Sequence, residues 1–320
     1  MIPRLSLVIP MHNEWPVLAV LESRLNTVLK TIDLPVEIIC VDDGSRDETW
    51  AGLLAWQQRD DRLRLVRLSR NFGHEAAILA GLKQAKGDAI ITMDADLQDP
   101  PELIPALLSQ WDNGFDVVYA VRVDRTVDSW MKRTTASLFY KLAAKILPFT
   151  LPENAGQYRL IDRKVIDVII NLPESNRFLR ALTSWAGFRQ GRVCYHREDR
   201  VAGQSKYNYW RMWNYALDAI TGFSHLPLRI WSYVGVFVSL CAFVYALVIL
   251  VLYFLVGRET PGWASLMIAV LFLGGIQLIC LGIIGEYLGR IFMEVKGRPM
   301  YIVSEVRDGI PVQEDSTHAS

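Results

Sequence analysis

Asp94-Ala95-Asp96-Leu97-Gln98 sets two carboxylates and an amide at alternate positions. Carboxylate and carbonyl oxygens are hard ligands that suit Mg²⁺ or Mn²⁺. With such an ion, an acidic strand end could hold a diphosphate, which carboxylates alone would repel. Asp42-Asp43 is a second acidic pair, and Asn13-Glu14, Asn71 and Arg122 also follow apolar runs. One Asp at a strand end is commonly a turn or a helix cap. Acids at the ends of two separate strands argue for binding. There is no GxGxxG and no Walker loop, which excludes the usual dinucleotide dehydrogenases and the P-loop NTPases. Cys40, Cys194, Cys241 and Cys280 lie far apart, with no CxxC or Cys/His cluster. That spacing argues against zinc and reads as buried free thiols in a reducing compartment.

These residues need elements to position them. LSLVIP (5–10), VEIICVDD (36–43), LRLVRLS (63–69), DAIITMDAD (88–96) and FDVVYAVR (115–122) read as strands. Residues 14–31, 47–58, 74–87 and 101–114 have helical spacing. Alternating strands and helices predict an α/β domain with a parallel sheet covered by helices. In such sheets ligand groups gather beyond the carboxyl ends of the strands, where the acids and amides named above fall.

The 320 residues carry 34 Lys/Arg and 34 Asp/Glu, and the zero sum hides three regions. Residues 1–119 hold 11 basic and 18 acidic residues, net −7; residues 120–229 hold 18 and 9, net +9; residues 230–320 hold 5 and 7, net −2. The neutral total argues against a broad nucleic-acid surface. The last third contains two charge-free stretches, the 28 residues from Ile230 to Gly257 and the 26 from Thr260 to Gly285. A spanning helix needs about 20 apolar residues, so two spans are expected, at about 230–257 and 262–287. Arg211, Arg229, Arg290, Lys296 and Arg298 flank the pair, and only Arg258 sits between, which places both termini in the cytoplasm. Gly274, Gly275, Gly282, Gly285 and Gly289 give the second span a small-residue face, for packing on the first span or on another subunit. Residues 129–147 and 204–225 read as amphipathic helices at the headgroup level. The expected layout is a cytoplasmic catalytic domain (1–228), a two-helix segment (229–289) and a cytoplasmic tail (290–320) ending in a polar stretch from Pro311.

Across almost its whole length the chain resembles the polyprenyl-phosphate glycosyltransferases, inverting enzymes with a GT-A fold. The likeness runs through VIPMHNE (8–14), CVDDGSRD (40–47), LSRNFGHEAAILAG (68–81), MDADLQDPPE (93–102), YRLIDRKV (158–165), GQSKYNYWRMW (203–213) and LGIIGEYLGRIFMEVKGRP (281–299). It looks most like the bacterial bactoprenol glucosyltransferases of O-antigen modification. The resemblance implies a nucleotide site at Pro10, Asn13, Glu14, Asp42, Asp43, Asn71, Gly73 and Asp94. It implies a Mg²⁺ or Mn²⁺ site at Asp94, Asp96 and Gln98. Arg122, Arg133, Ser137, Arg200 and Lys206 would hold the lipid phosphate, and Asp96, Gln157 and Arg122 would stand at the reaction. The implied partners are UDP-glucose, undecaprenyl phosphate, the bacterial inner membrane and a homotetramer.

One position departs from the pattern. Relatives carry Gly-Asp-Phe/Tyr-Arg where this chain reads Gly156-Gln157-Tyr158-Arg159. Glutamine cannot act as a base. Either the carboxylate is dispensable, or the chain is a natural variant, or the substitution is an introduced, inactivating one. A phosphate nucleophile with a second pKa of about 6 is largely ionised at neutral pH and needs positioning more than deprotonation. Three other readings compete: transfer of another sugar from a GDP-mannose or UDP-aminoarabinose type donor, a non-catalytic lipid-phosphate-binding protein, and a processive polysaccharide synthase. The last should show QxxRW and more spans.

Overall fold

The computed structural model describes residues 3–122, 155–174, 179–195, 226–256 and 262–309. Arg133, Ser137, Arg200, Lys206 and both expected interfacial helices lie outside the described residues. The chain divides into two compact units, one of residues 1–208 with 299–320, the other of residues 209–298.

The first unit is built on an eight-stranded mixed sheet with the order β7-β5-β6-β4-β1-β2-β3-β8. Its strands are β1 (Leu5–Met11), β2 (Val36–Asp42), β3 (Leu63–Leu68), β4 (Ala89–Thr92), β5 (Val117–Arg122), β6 (Ala155–Asp162), β7 (Gln190–Tyr195) and β8 (Val303–Arg307). All seven residues of β1 are buried, as befits a central strand covered on both faces. The first four strands run parallel to one another, as the sequence pattern predicts. Two strands depart from an all-parallel sheet. β6 runs antiparallel between β4 and β5, and β8 runs antiparallel along the free edge of β3. β8 comes from the segment expected to be tail.

The helices are α1 (Trp15–Leu29), α2 (Thr49–Gln57), α3 (His74–Gln84), α4 (Ile104–Asp112), α5 (Arg163–Ile170) and α6 (Leu179–Trp185). α1 buries Leu18, Leu21, Leu25, Val28 and Leu29, spaced three and four apart, so one face meets the core. α3 is buried from Ala76 through Leu82 and touches β1, β2 and β3. Gly81 permits that approach, because a β-carbon there would press on Val8 and come within 3.1 Å of Val41. The close seat fixes the start of α3 at the carboxyl ends of the strands.

β4 stops at Thr92, four residues short of the expected strand end. Beyond it the chain turns through a loop in which buried Leu97 holds φ of 60°, a left-handed conformation that costs a branched residue free energy. A short 3₁₀ turn, Pro101–Leu103, then leads into α4. Of the four thiols, all free, only Cys40 is buried, and Cys194 is exposed on the sheet's edge strand, against the expectation of buried thiols.

The second unit contains α7 (Leu226–Val256) and α8 (Trp263–Val295), which contact each other. At 1.5 Å per residue, helices of 31 and 33 residues exceed a hydrocarbon core of about 30 Å. Ser265–Val295 is long and apolar enough to cross a bilayer, with a mean hydropathy of 2.6 and none of its most apolar stretch buried within the chain. In α7 the described apolar stretch is Trp231–Tyr245. The glycine face of α8 is open: apart from the helix's own backbone, a β-carbon at 274, 275, 282, 285 or 289 would meet no atom of the described residues within 4 Å.

Candidate active site

Two loops shape one wall of a cleft. After β1, Asn13 adopts φ of 59°, and its side-chain Oδ1 accepts the Arg46 N–H at 2.8 Å. The Asn13 N–H donates to Ser45 Oγ at 3.0 Å, and the Glu14 N–H to Thr49 Oγ1 at 2.9 Å. The loops after β1 and β2 are thereby joined. Asp42 is wholly buried; it accepts the Ser45 N–H at 3.0 Å and pairs with Arg67 at 3.2 Å. Asp43 accepts the Phe72 N–H at 2.7 Å through one oxygen and the Gly73 N–H at 2.9 Å through the other. Charge-assisted bonds of this kind are the stronger ones, so Asp43 fixes the approach to α3. Gly73 enters that helix at φ of 99°, a conformation glycine adopts readily.

The cleft has a volume of about 340 Å³ and is lined by Pro10, Met11, His12, Glu14, Asp43, Asn71, Gly73, His74, Ala77, Asp94, Ala95 and Asp96. It gathers six of the eight nucleotide candidates. Asn13 and Asp42 are not on its wall and act instead as the loop ties just described. Of the three metal candidates, Asp94 and Asp96 line the cleft. The Gln98 side chain is buried and off the wall, while its N–H donates to Asp96 Oδ1 at 3.2 Å.

Among the described residues no group of three His, Cys, Asp or Glu side chains forms a ready metal cage. Mg²⁺ and Mn²⁺ need none, since one or two carboxylates with phosphate oxygens and water complete their shells. Two carboxylates on the wall of an open cleft fit such an ion.

His74 Nε2 lies 3.3 Å from Asp94 Oδ1. Burial pushes the His74 pKa down, against the upward pull of the Glu75, Asp43, Asp99 and Asp96 carboxylates. The next residue of α3 reaches Gln157. The Gln157 amide Nε2 donates to Glu75 Oε1, and its Oε1 accepts from Arg159 Nη2 at 2.6 Å. The Gln157 carbonyl also accepts from Thr92 Oγ1 at 2.6 Å. Arg159 is fully buried and additionally bonds the Gly156 carbonyl and Thr183 Oγ1. Burial raises the Glu75 pKa, while Arg159, His74 and the Leu179 and Gln157 N–H groups favour its ionised form. A glutamine suits this position because it accepts from a guanidinium and donates to a carboxylate at once.

Arg122 ends β5, directly opposite Tyr195 of β7. Its Nε donates to the Tyr195 hydroxyl at 3.1 Å, and that hydroxyl donates to Asp99 Oδ1 at 2.9 Å. Arg122 Nη2 lies 3.8 Å from the same carboxylate. Burial and then the Asp94 charge push the Asp99 pKa up to about 6, with Arg122 and Tyr195 pulling it back. Burial and the Asp99 charge raise the Tyr195 phenol to about 12, so it stays a hydroxyl at neutral pH. Sequence reasoning missed His74, Glu75, Asp99 and Tyr195. Asp99 lies one residue past the DADLQ run and Glu75 two past Gly73, so proximity to the motifs is the signal that points to them. Tyr195 had none, because its partners lie 73 and 96 residues away.

Relatives bear on this arrangement. The family described as Glycosyl transferase family 2 matches residues 6–170, the span that holds the cleft. The GtrB C-terminal hairpin matches residues 226–291. An uncharacterized glycosyltransferase of Synechocystis sp. is 49% identical over 302 residues, covering 94% of this chain and 95% of its own. A prophage-derived bactoprenol glucosyl transferase of Shigella flexneri is 43% identical over 308 residues, covering 96% and 100%. A prophage bactoprenol glucosyl transferase homolog of Escherichia coli K12 is 42% identical over 304 residues, covering 95% and 99%. A mixed α/β sheet with acids at its strand ends and these full-length matches define the class: the chain belongs to glycosyl transferase family 2, and it carries the family's GT-A-like domain together with a GtrB-type hairpin.

Proposed function

We propose that this chain transfers glucose from UDP-glucose to undecaprenyl phosphate at the cytoplasmic face of the bacterial inner membrane, with inversion at the anomeric carbon. The observation that carries the reading is the full-length likeness, at 42–43% identity, to relatives named for bactoprenol glucosyl transfer. In this reading Asp43, Asn71 and Gly73 receive the nucleoside side of the donor, and Asp94 and Asp96 hold a divalent ion. When bound, that ion neutralises diphosphate charge and eases departure of UDP as a Lewis acid.

The acceptor phosphate oxygen attacks the anomeric carbon directly. The new carbon–oxygen bond forms as the bond to UDP breaks, and the bonding pair leaves with UDP. A dianionic nucleophile needs no general base, so a glutamine at 157 is compatible with turnover. Arg122 offsets the acceptor charge; Arg133, Ser137, Arg200 and Lys206 join it by the family resemblance. Gln157 orients the Glu75 and Arg159 side chains beside the cleft and is a positioning residue in this account.

The hairpin matched at residues 226–291 and the apolar stretch Ser265–Val295 support membrane attachment by α7 and α8. A homotetramer follows from the resemblance. Nucleotide sugars should be screened against undecaprenyl phosphate with Mn²⁺ or Mg²⁺, reading nucleoside diphosphate release. UDP-glucose is expected to give the highest rate. A preference for GDP-mannose or a UDP-aminosugar would replace the donor, and no release with any donor would sink the enzymatic reading.

A further inference from the structure

The two halves of the proposed reaction meet at one buried carboxylate. Asp99 is 1% exposed and uses its two oxygens in different directions. Oδ1 takes the Tyr195 hydroxyl at 2.9 Å and faces Arg122 Nη2 at 3.8 Å. Oδ2 takes the backbone N–H of Asp94 at 3.4 Å. Asp94 begins the acidic loop on the cleft wall, and Arg122 is the cation assigned above to the acceptor phosphate.

The geometry around this junction is restrictive. Tyr195 packs edge-on against Tyr158, with ring centroids 6.2 Å apart, and the Tyr158 hydroxyl donates to the Pro100 carbonyl at 2.8 Å. The backbone at Gly156 runs close to the guanidinium: a β-carbon there would lie 3.2 Å from Arg122 Nη2. Leu97, buried at a left-handed φ of 60°, leaves the loop between Asp94 and Asp99 little room to relax independently. These contacts connect the Asp94 amide to Asp99, and Asp99 through the Tyr195 hydroxyl to the Arg122 guanidinium.

We propose that Tyr195 is a positioning residue that, with Asp99, couples the donor-binding loop at Asp94 to the acceptor-binding Arg122, so that occupation of one half-site strengthens binding at the other. The proposal rests on the reading that the cleft takes a nucleotide with a divalent ion and Arg122 takes a lipid phosphate. The coupling is positive because a loop held by its ligand fixes Asp99, and a fixed Asp99 holds Arg122 where a phosphate needs it. Binding linkage is reciprocal, so either ligand can be titrated to read the effect.

The test uses the full chain in detergent, with UDP and Mn²⁺ as one probe and undecaprenyl phosphate as the other. UDP affinity is measured by calorimetry with and without the lipid, for the native chain and for Tyr195→Phe and Asp99→Asn. Coupled sites commonly change each other's affinity by roughly 5–150-fold, and a factor near the middle of that range is expected for the native chain. In Tyr195→Phe the factor should fall toward one, while UDP affinity without lipid stays within about twofold, less than RT in free energy. In turnover, with each substrate varied at a saturating level of the other, the same variant should raise both KM values, because the lost factor is reciprocal. A merely structural tyrosine would weaken UDP binding in the absence of lipid, or leave the coupling factor unchanged.

Asp99→Asn keeps the size of the side chain and guards against a folding artefact; it too should lose the coupling. A native factor near one, or a factor unchanged in both variants, overturns the proposal. Failure of the functional reading looks different, since the native chain would then release no UDP from UDP-glucose in the presence of lipid phosphate.

Discussion

At the residue scale, Gln157 is the position where sequence and structure pull apart. From the sequence it is the loss of a base. In the structure its amide joins a fully buried guanidinium to a carboxylate on the first turn of α3. Aspartate is one methylene shorter and would set a second negative charge beside Glu75, and like charges in a desolvated site disfavour each other. Gln157→Asp is therefore expected to lower kcat by about tenfold or more, a barrier change of about 1.4 kcal/mol. Adding Glu75→Gln should recover part of the loss by removing the repulsion. Steady-state turnover of the native chain and the two variants checks this, and a gain of orders of magnitude in Gln157→Asp would show that the native chain is a disabled form. The acids at strand ends were legible because few residue types gather there without a ligand. Glu75 was not, because its partner is 82 residues away and only the packing of α3 brings the two together.

At the element scale, the parallel core from β1 to β4 could be read directly, since alternating apolar runs and helical periods specify it. β6 and β8 could not. β6 places Arg159 at full burial within an apolar strand, so its pattern imitates a half-exposed one; the guanidinium is tolerated because Gln157, Gly156 and Thr183 accept its hydrogen bonds. β8 is VSEVR, short and mostly exposed, with too few apolar residues to stand out from a tail. Yet it covers the edge of β3, and the Gln57 side-chain amide donates to the Leu63, Arg307 and Asp308 carbonyls. An unpaired β3 edge would be a template for association with other chains. Deleting residues 299–320 should lower the Tm by about 5 °C or more and promote aggregation, as expected for losing a few kcal/mol of strand pairing. Thermal unfolding with light scattering in detergent measures both. An unchanged Tm in a monodisperse sample would mean that β8 contributes nothing to the sheet.

At the scale of the whole molecule, the chain leaves the sheet after β7, passes through α7 and α8, and returns to the same sheet as β8. Any membrane crossed between Tyr195 and Val303 must be crossed an even number of times. The charge pattern around the two apolar stretches gives the same answer independently. In intact spheroplasts, an impermeant thiol reagent should therefore label Arg258→Cys, between the helices, and leave the exposed Cys194 of β7 unlabelled until the membrane is opened. Labelling of Cys194 in sealed cells, with Arg258→Cys protected, would invert the proposed orientation. The neutral net charge is resolved by the same layout. The acidic first third holds the cleft and its carboxylates, and the last third has few charges because most of it is apolar helix.

The most direct test of the central claim follows the sugar itself. Purified full-length protein is given UDP-glucose labelled in the glucose, undecaprenyl phosphate and Mn²⁺, and label is counted in the organic phase. The expected product is lipid-linked glucose that depends on the acceptor, disappears on chelation of the metal, and is lost in Asp96→Asn. Organic-phase label that survives chelation would contradict the metal assignment. No lipid-linked label at all, with the protein folded and the acceptor present, would contradict the function.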